Sequence, residues 1–392
     1  MTWNWQQPGW PHSTWEEGRL TLAEQQFLVG GGVLLGTVKH LGEEERDQLT
    51  VEAMSTEALT TSEIEGEILD RASVQSSIQR QLGLAADNRR VAPREQGVAE
   101  MLVDLYRTSA PLSEEMIFGW HRMLMSGSRD IEDIGRYRTG DEPMQVVSGA
   151  IGAPKIHFEA PPSTQIAGEM AGFIDWFKRT APGGTEPLPA LTRAGAAHLY
   201  FETIHPFEDG NGRIGRAIAE KSLAQSLGQP TLILLAATLL ARRASYYHAL
   251  EAASKQNKIT DWLAWFAGIT IEAQQRTLAL IEFLIDTAKL FDRLKGQLND
   301  RQQKALLRMF KEGPEGFKGG LSAGKYSTIT GASPATATRD LVDLMEKGAL
   351  IRTGELRHAR YNLSVPLKPV QRMTIGKNGE LVESSGKLAD KQ

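Results

Sequence analysis

The stretch from His205 to Arg216, His-Pro-Phe-Glu-Asp-Gly-Asn-Gly-Arg-Ile-Gly-Arg, leaves the backbone around it few options. Gly210 and Gly212 lack a Cβ, so the chain there can enter φ > 0 and bring N–H groups close to a ligand. Successive N–H groups in such a turn make an anion-binding concavity. Ile214, Ala217, Ile218 and Leu223 recur with a helical rhythm, which predicts a helix starting at the turn. Its first N–H groups and positive dipole end would add to the pull on an anion. Arg213 and Arg216 fall three apart on one face, with forked donors that suit phosphate oxygens. His205 is of the one side-chain type here whose unperturbed pKa lies near neutrality, as suits a proton acceptor. Asp209 is a hard oxygen ligand of the kind Mg²⁺ takes beside substrate phosphates. Any one of these residues fits a solvated helix cap; the whole set points to a polyphosphate held next to a base.

Helical periodicity also dominates the rest of the chain. It runs from Leu20 to Leu82, with Gly30-Gly31-Gly32 as a weak point, and resumes over residues 93–130, 164–178 and 191–203. Leu232–Leu240 is a nearly continuous apolar run that reads as a buried helix, Trp262, Trp265 and Phe266 end the bundle, and residues 276–299 read as a linker helix. Short strands are expected at Met144–Gly149 and Lys155–Glu159, joined as a hairpin. Trp3, Trp5, Trp10 and Trp15 crowd the first 18 residues among prolines, the composition of an arm that wraps a domain surface. A length of 392 residues implies two or three domains, and 41% hydrophobic with 23% charged residues is a soluble globular balance. No apolar run reaches the length of a membrane span, and the absence of cysteine removes thiol chemistry and suits a reducing cytoplasm.

His205-Pro206-Phe207-x-Asp209-Gly210-Asn211-Gly212-Arg213-x-x-Arg216 resembles the full signature of the Fic family. The resemblance implies a mainly α fold, a Fic-type helical bundle with a short β-hairpin flap, and transfer of AMP from ATP to a Ser, Thr or Tyr hydroxyl of a target protein. It also implies roles. His205 would be the base, Asp209 would hold Mg²⁺, and Gly210, Asn211, Gly212, Arg213 and Arg216 would bind the phosphates. Thr61-Ser62-Glu63-Ile64-Glu65-Gly66 is similar to the inhibitory motif of self-restrained members, which sets Glu65 against Arg216. Such a glutamate could orient a water, so removal of AMP from a modified target is a related activity. The hairpin falls where the family places its flap, which makes Val146, Val147, Ser148 and Gly149 the expected docking edge for a target strand. Tyr246 and Tyr247 resemble the segment lining the adenine pocket, and Ser254 stands where some relatives carry Asn. Related Doc toxins, which transfer a phosphoryl group, carry Lys at the position of Gly212, so the sequence favours AMP.

Residues 300–363 differ in kind: eleven Lys/Arg against seven Asp/Glu give +4 in a chain of net charge −4. Helices at Arg301–Lys311, Lys325–Thr330 and Ala335–Lys347, followed by two short strands, predict a winged helix-turn-helix with Thr336, Thr338 and Arg339 on the recognition face. DNA is the partner this fold suggests, although Asp340 and Asp343 on the same helix would repel phosphates. The same fold also serves dimerisation, which would make the chain a homodimer. The expected organisation is an N-terminal module at 1–90, a catalytic domain at 91–275, the linker at 276–299, the winged helix at 300–363 and a flexible tail at 364–392. The competing functional reading is a DNA-binding regulator whose Fic domain only senses a nucleotide.

Overall fold

The computed structural model describes residues 2–148, 155–230, 232–311, 317, 319–355, 358–365 and 368–384. The fold is mainly α-helical, and its described strands form two-stranded antiparallel hairpins. Two compact units result: Met1–His40, Thr50–Thr277 and Gln371–Gln392 make one, and Leu41–Leu49 with Leu278–Val370 make the other.

The first unit is threaded by α1 (Thr21–Lys39), the part of α2 (Glu43–Ile64) from Thr50 on, α3 (Arg71–Leu82), α4 (Pro93–Arg107) and α5 (Glu114–Leu124). Serine and aspartate caps start two of them: Asp70 accepts from the Ser73 N–H ahead of α3, and Ser113 from the Met116 N–H ahead of α5. A hairpin of β1 (Gln145–Ser148) and β2 (Lys155–Glu159) follows, with a bulge between Val146 and Val147. Then come α6 (Ser163–Arg179), α7 (Ala190–Ile204), α8 (Asn211–Leu227), α9 (Leu235–Ala241), α10 (Arg243–Ala253) and the start of α11 (Thr260–Arg293). Helix α7 is the centre of this unit, with every residue buried except Glu202. One apolar cluster on it takes Phe27, Leu223, Leu239, Trp262 and Phe266. Another takes Met54, Ile78, Leu102, Trp120, Phe173 and Phe207.

Residues on both sides of the expected boundary at residue 90 pack into the same compact unit. Helices α2 and α3 bury Met54, Ala58, Val74 and Ile78 in the same cluster as α4 to α8. The chain also departs from expectation in four other places. Helix α9 begins only at Leu235, and α1 continues through its three glycines. Helix α11 runs 34 residues without a break at Phe266, so the expected linker helix is its second half. The flexible tail expected at 364–392 is corrected in its described part by a hairpin of β5 (Arg372–Ile375) and β6 (Leu381–Ser384). Met373 and Ile375 alternate onto one face, 5% and 8% exposed, and join the cluster around Trp262.

The second unit contains α12 (Asp300–Lys311), α13 (Ala323–Thr330), α14 (Pro334–Glu346) and a hairpin of β3 (Leu350–Thr353) with β4 (Arg360–Leu363). Leu306, Met309, Tyr326, Leu341, Leu344 and Tyr361 form its core. Ser333 accepts from the Thr336 N–H and Pro334 opens α14, so the cap is the one the sequence calls for. Asp340 does not face outward. It is 7% exposed and accepts from Arg301 Nε and the Tyr326 hydroxyl, each at 2.9 Å. Among the described residues no helix is long and apolar enough to cross a membrane.

Candidate active site

His205 ends α7 in the left-handed region (φ 51°, ψ 59°) and is the one non-glycine residue with positive φ among those described. A side chain held there is strained, and strain of this kind persists only where the surroundings fix it. Arg138 does much of the fixing. Its Nε donates to the His205 carbonyl at 2.9 Å, its Nη2 donates to the Pro161 carbonyl at 2.5 Å, and its backbone N–H reaches the Pro206 carbonyl at 3.0 Å. Phe207 is fully buried and stacks on His121 with ring centres 4.0 Å apart. The Asn211 side chain closes the loop from within, accepting from the Phe207 N–H at 3.0 Å and donating to the Phe207 carbonyl at 2.8 Å. Burial pushes His121 down to about 4, so its ring is neutral. Nδ1 accepts from the Gly135 N–H, which leaves Nε2 to donate to the Asp209 carbonyl at 3.2 Å.

The His205 imidazole is likewise pushed down to about 4, by burial and then by the Arg138 charge, and it meets the Glu202 carbonyl. It is therefore neutral at physiological pH, and the nitrogen not facing that carbonyl has a free lone pair. Gly210 (φ 84°) is the N-cap of α8, and Gly212 lies in the first turn, where N–H groups have no intrahelical partner.

The phosphate-suited arginines are both taken by acids. Arg216, 2% exposed, donates from Nε to Thr61 Oγ1 at 2.8 Å, and from Nη2 to the Thr61 carbonyl at 2.9 Å and Glu65 Oε1 at 2.7 Å. Glu65 lies so close above Gly212 that a Cβ there would fall 2.2 Å from its Oε1. A carboxylate thus sits at the N-terminus of α8, where a helix attracts anions. Arg213, 4% exposed, donates to Glu67 Oε2 at 2.7 Å and lies 3.5 Å from Asp209 Oδ2. Nothing in the local sequence singled out Glu67.

Glu65, His205, Gly212 and Arg216 line one side of a cleft of about 650 Å³, a size typical of small-molecule sites. Strand β1 contributes Val146, Val147 and Ser148 to the same cleft; Gly149, the last residue of the expected docking edge, lies outside the described residues. Since β1 pairs with β2 alone, its other edge has no strand partner among the described residues. The hairpin is tied to α10 through His157, whose Nδ1 is 2.8 Å from Glu251 Oε2 and whose Nε2 is 2.6 Å from Ser148 Oγ. Tyr246, Tyr247 and Ser254 line the cleft as well. The Tyr246 hydroxyl meets His198 Nε2 at 2.8 Å, which gives that buried histidine a packing role. Tyr247 reaches the Ile64 carbonyl at 3.2 Å, touching the end of α2 beside Glu65. The tryptophan arm braces the hairpin: Trp3 packs edge-on against Phe158 and Trp5 Nε1 donates to the Glu159 carbonyl at 2.7 Å.

Comparison with known proteins agrees with this geometry at the level of the family. Residues 111–223 match the Fic/DOC family, so the chain carries a Fic/DOC domain, and residues 3–84 match a domain of unknown function, DUF4172. The protein adenylyltransferases fic-1 of Caenorhabditis briggsae and Caenorhabditis elegans are each 29% identical over 143 residues, 36% of this chain. The matched stretch spans only 24% of the length of these curated relatives. Among solved structures, a Fic family protein from Desulfovibrio desulfuricans G20 superposes with a TM-score of 0.48 at 21% identity, over 87% of this chain and 95% of its own. A Fic-1 fragment from C. elegans gives 0.46 at 20% identity, over 69% and 74%.

Proposed function

We propose that this chain is a protein adenylyltransferase, moving AMP from ATP to a Ser, Thr or Tyr hydroxyl of a target protein, and that Glu65 holds it back. The carrying observation is the Glu65 carboxylate, seated on Arg216 at the N-terminus of α8, where an anionic phosphate would otherwise lie. Neutral His205 takes the proton from the target hydroxyl. The hydroxyl oxygen then bonds the α-phosphorus, the bond from that phosphorus to the α–β bridging oxygen breaks, and pyrophosphate leaves. The first-turn N–H groups of α8 stabilise charge on the α-phosphate, while Arg213 and Arg216, once freed, hold the β- and γ-phosphates. The free edge of β1 suits a target strand laid beside His205.

Asp209 fits a place in the Mg²⁺ shell. Its side chain is 54% exposed and its Oδ2 is no closer than 3.5 Å to Arg213, so it can turn to a ligand. No group of three or more acidic or histidine residues suited to a metal occurs among the described residues. One carboxylate plus phosphate oxygens is how Mg²⁺ is usually held at such sites, where it neutralises phosphate charge.

The test uses ATP labelled at the α- or the γ-phosphate, with wild type, His205→Ala and Glu65→Gly. The expected result is α-label on protein, little with wild type, much more with Glu65→Gly and none with His205→Ala. Transfer of γ-label, or a His205→Ala protein as active as Glu65→Gly, would overturn the reading.

A second reading, DNA binding by residues 300–363, gains from the placement of Asp340 and Asp343. Asp340 is paired inward with Arg301, and Asp343 accepts from Lys347 and Gln302. Thr338 and Arg339 remain exposed on α14, so its outward face is less acidic than the sequence suggests. Anisotropy titration of a labelled duplex with the full chain is expected to show binding that weakens with salt and with Arg339→Glu; no binding at low salt would remove this reading.

A further inference from the structure

Glu202 stands apart on its helix. It is the one residue of α7 that is only partly buried, and it lines the same cleft as Glu65, His205 and Arg216. Its Oε1 is sealed from solvent and has no hydrogen-bond partner. That oxygen lies against the backbone of α8, where a Cβ on Gly215 would fall 2.5 Å from it. The absence of a side chain at residue 215 is what admits a carboxyl group to this position. An orphaned carboxyl oxygen beside a bound carboxylate is costly unless the group serves a ligand.

We propose that Glu202 is a further phosphate-binding residue, a neutral carboxylic acid that donates a hydrogen bond to the anionic group taking the place of Glu65 on Arg216. Two carboxyl groups face one guanidinium here, and they cannot both ionise cheaply. Glu65 makes the direct ion pair with Arg216 at 2.7 Å, so Glu202 is the one that keeps its proton. Burial, reinforced by the Glu65 charge, pushes Glu202 up to about 8. When a phosphate replaces Glu65, the negative neighbour is preserved and so is the reason for Glu202 to stay protonated. A protonated carboxyl is a donor, whereas an ionised one would repel the same phosphate.

The other groups around Glu202 do not compete for this titration. His198 and His205, on its own helix, are pushed down to about 4 by burial. Tyr246 on α10 is held well above its ordinary range, and Arg216 on α8 stays charged throughout.

The inference rests on the proposed ATP site, and its test needs no transfer chemistry. The measurement is the Kd of Mg-ATP for full-length Glu65→Gly/His205→Ala protein, by calorimetry from about pH 7 to about pH 9.5, a range that brackets a proton lost near 8. Affinity is expected to weaken with rising pH by up to about tenfold per pH unit across the Glu202 titration, the slope of one linked proton. Adding Glu202→Gln, which keeps a donor but no titration, is expected to hold neutral-pH affinity within about twofold and to flatten the basic limb. Adding Glu202→Ala is expected to weaken neutral-pH affinity about tenfold, the size of a charge-assisted hydrogen bond. A basic limb that survives Glu202→Gln, a Glu202→Gln protein as weak as Glu202→Ala, or unchanged affinity in Glu202→Ala would each overturn the inference while leaving the adenylyltransferase reading intact. ATP that fails to bind this background at any pH would overturn that reading, and the role of Glu202 with it.

Discussion

The pairs Glu65–Arg216 and Glu67–Arg213 come from one turn, separated by Gly66, and engage both phosphate arginines at 2.7 Å. If this turn is the restraint, neither glutamate acts alone. Each contact is a charge-assisted hydrogen bond to a buried guanidinium, worth about 1.5–3 kcal/mol. A loss of about 2 kcal/mol shifts the restrained-to-released equilibrium about 30-fold. Glu65→Gly and Glu67→Ala should therefore each raise the rate of AMP labelling by at least about tenfold. Because both contacts fix the same segment, their energies should couple, and the double variant should gain less than the product of the single gains. Residual restraint should remain through Thr61, which holds Arg216 by its hydroxyl at 2.8 Å and its carbonyl at 2.9 Å. The assay is the initial rate of α-label incorporation into protein at saturating ATP, with melting curves run in parallel. Removing Glu67 leaves Arg213 with Asp209 at 3.5 Å, so some loss of Tm is expected and does not count against the argument. A Glu67→Ala protein that labels at the wild-type rate while Glu65→Gly is activated would refute a shared restraint. A Glu65→Gly protein no faster than wild type would refute the restraint altogether.

Glu57 and Glu220 join α2 to α8 as a hydrogen-bonded buried acid pair, and burial raises both, Glu57 to about 7. Arg216 and the Ala236 and Ala237 N–H groups also face the pair. The folded protein thus binds more protons than the unfolded chain between the ordinary carboxylate range and neutrality, so stability is complete at acid pH and falls as pH rises through about 7. Glu220→Gln is expected to raise Tm at about pH 8 more than at about pH 5; a lower Tm at the higher pH would contradict this sign. Truncation after Val370 removes Met373 and Ile375 from the core, and at about 1.5–3 kcal/mol for each buried side chain it should lower Tm by several degrees. An unchanged melting curve would mean that the hairpin adds nothing to the core. Asp340→Ala should destabilise the second unit by about 1–3 kcal/mol, since it strips a partner from the buried Tyr326 hydroxyl and from Arg301. A urea transition unchanged from wild type would refute that role.

What the sequence made legible was local. The stretch 205–216 could be read because its glycines, arginines and histidine act through the backbone they share. The spacing alone foretold a turn, a helix start and two guanidinium groups on one face. The caps at Ser113 and Ser333 could be read for the same reason, since each acts on the N–H of a residue three positions on. Contacts made across the fold left no such trace. Arg138 looked like part of a helix-breaking loop, yet it staples His205 from 67 residues away. Glu67 carries no local mark, yet it reaches Arg213 across 146 residues. Glu202 carries no local mark, and only the near-complete burial of the rest of its helix makes its partial exposure informative.

The tail failed for a different reason. The polar composition of this segment predicts a flexible tail, although Met373 and Ile375 have the period-two spacing of a half-buried strand. Two apolar side chains are too few to mark a strand by themselves. Their close approach to α11 needs the missing side chain of Gly268, where a Cβ would fall 2.7 Å from the Met373 carbonyl. One requirement of that hairpin therefore lies in a helix about a hundred residues earlier, where reading the tail alone could not find it.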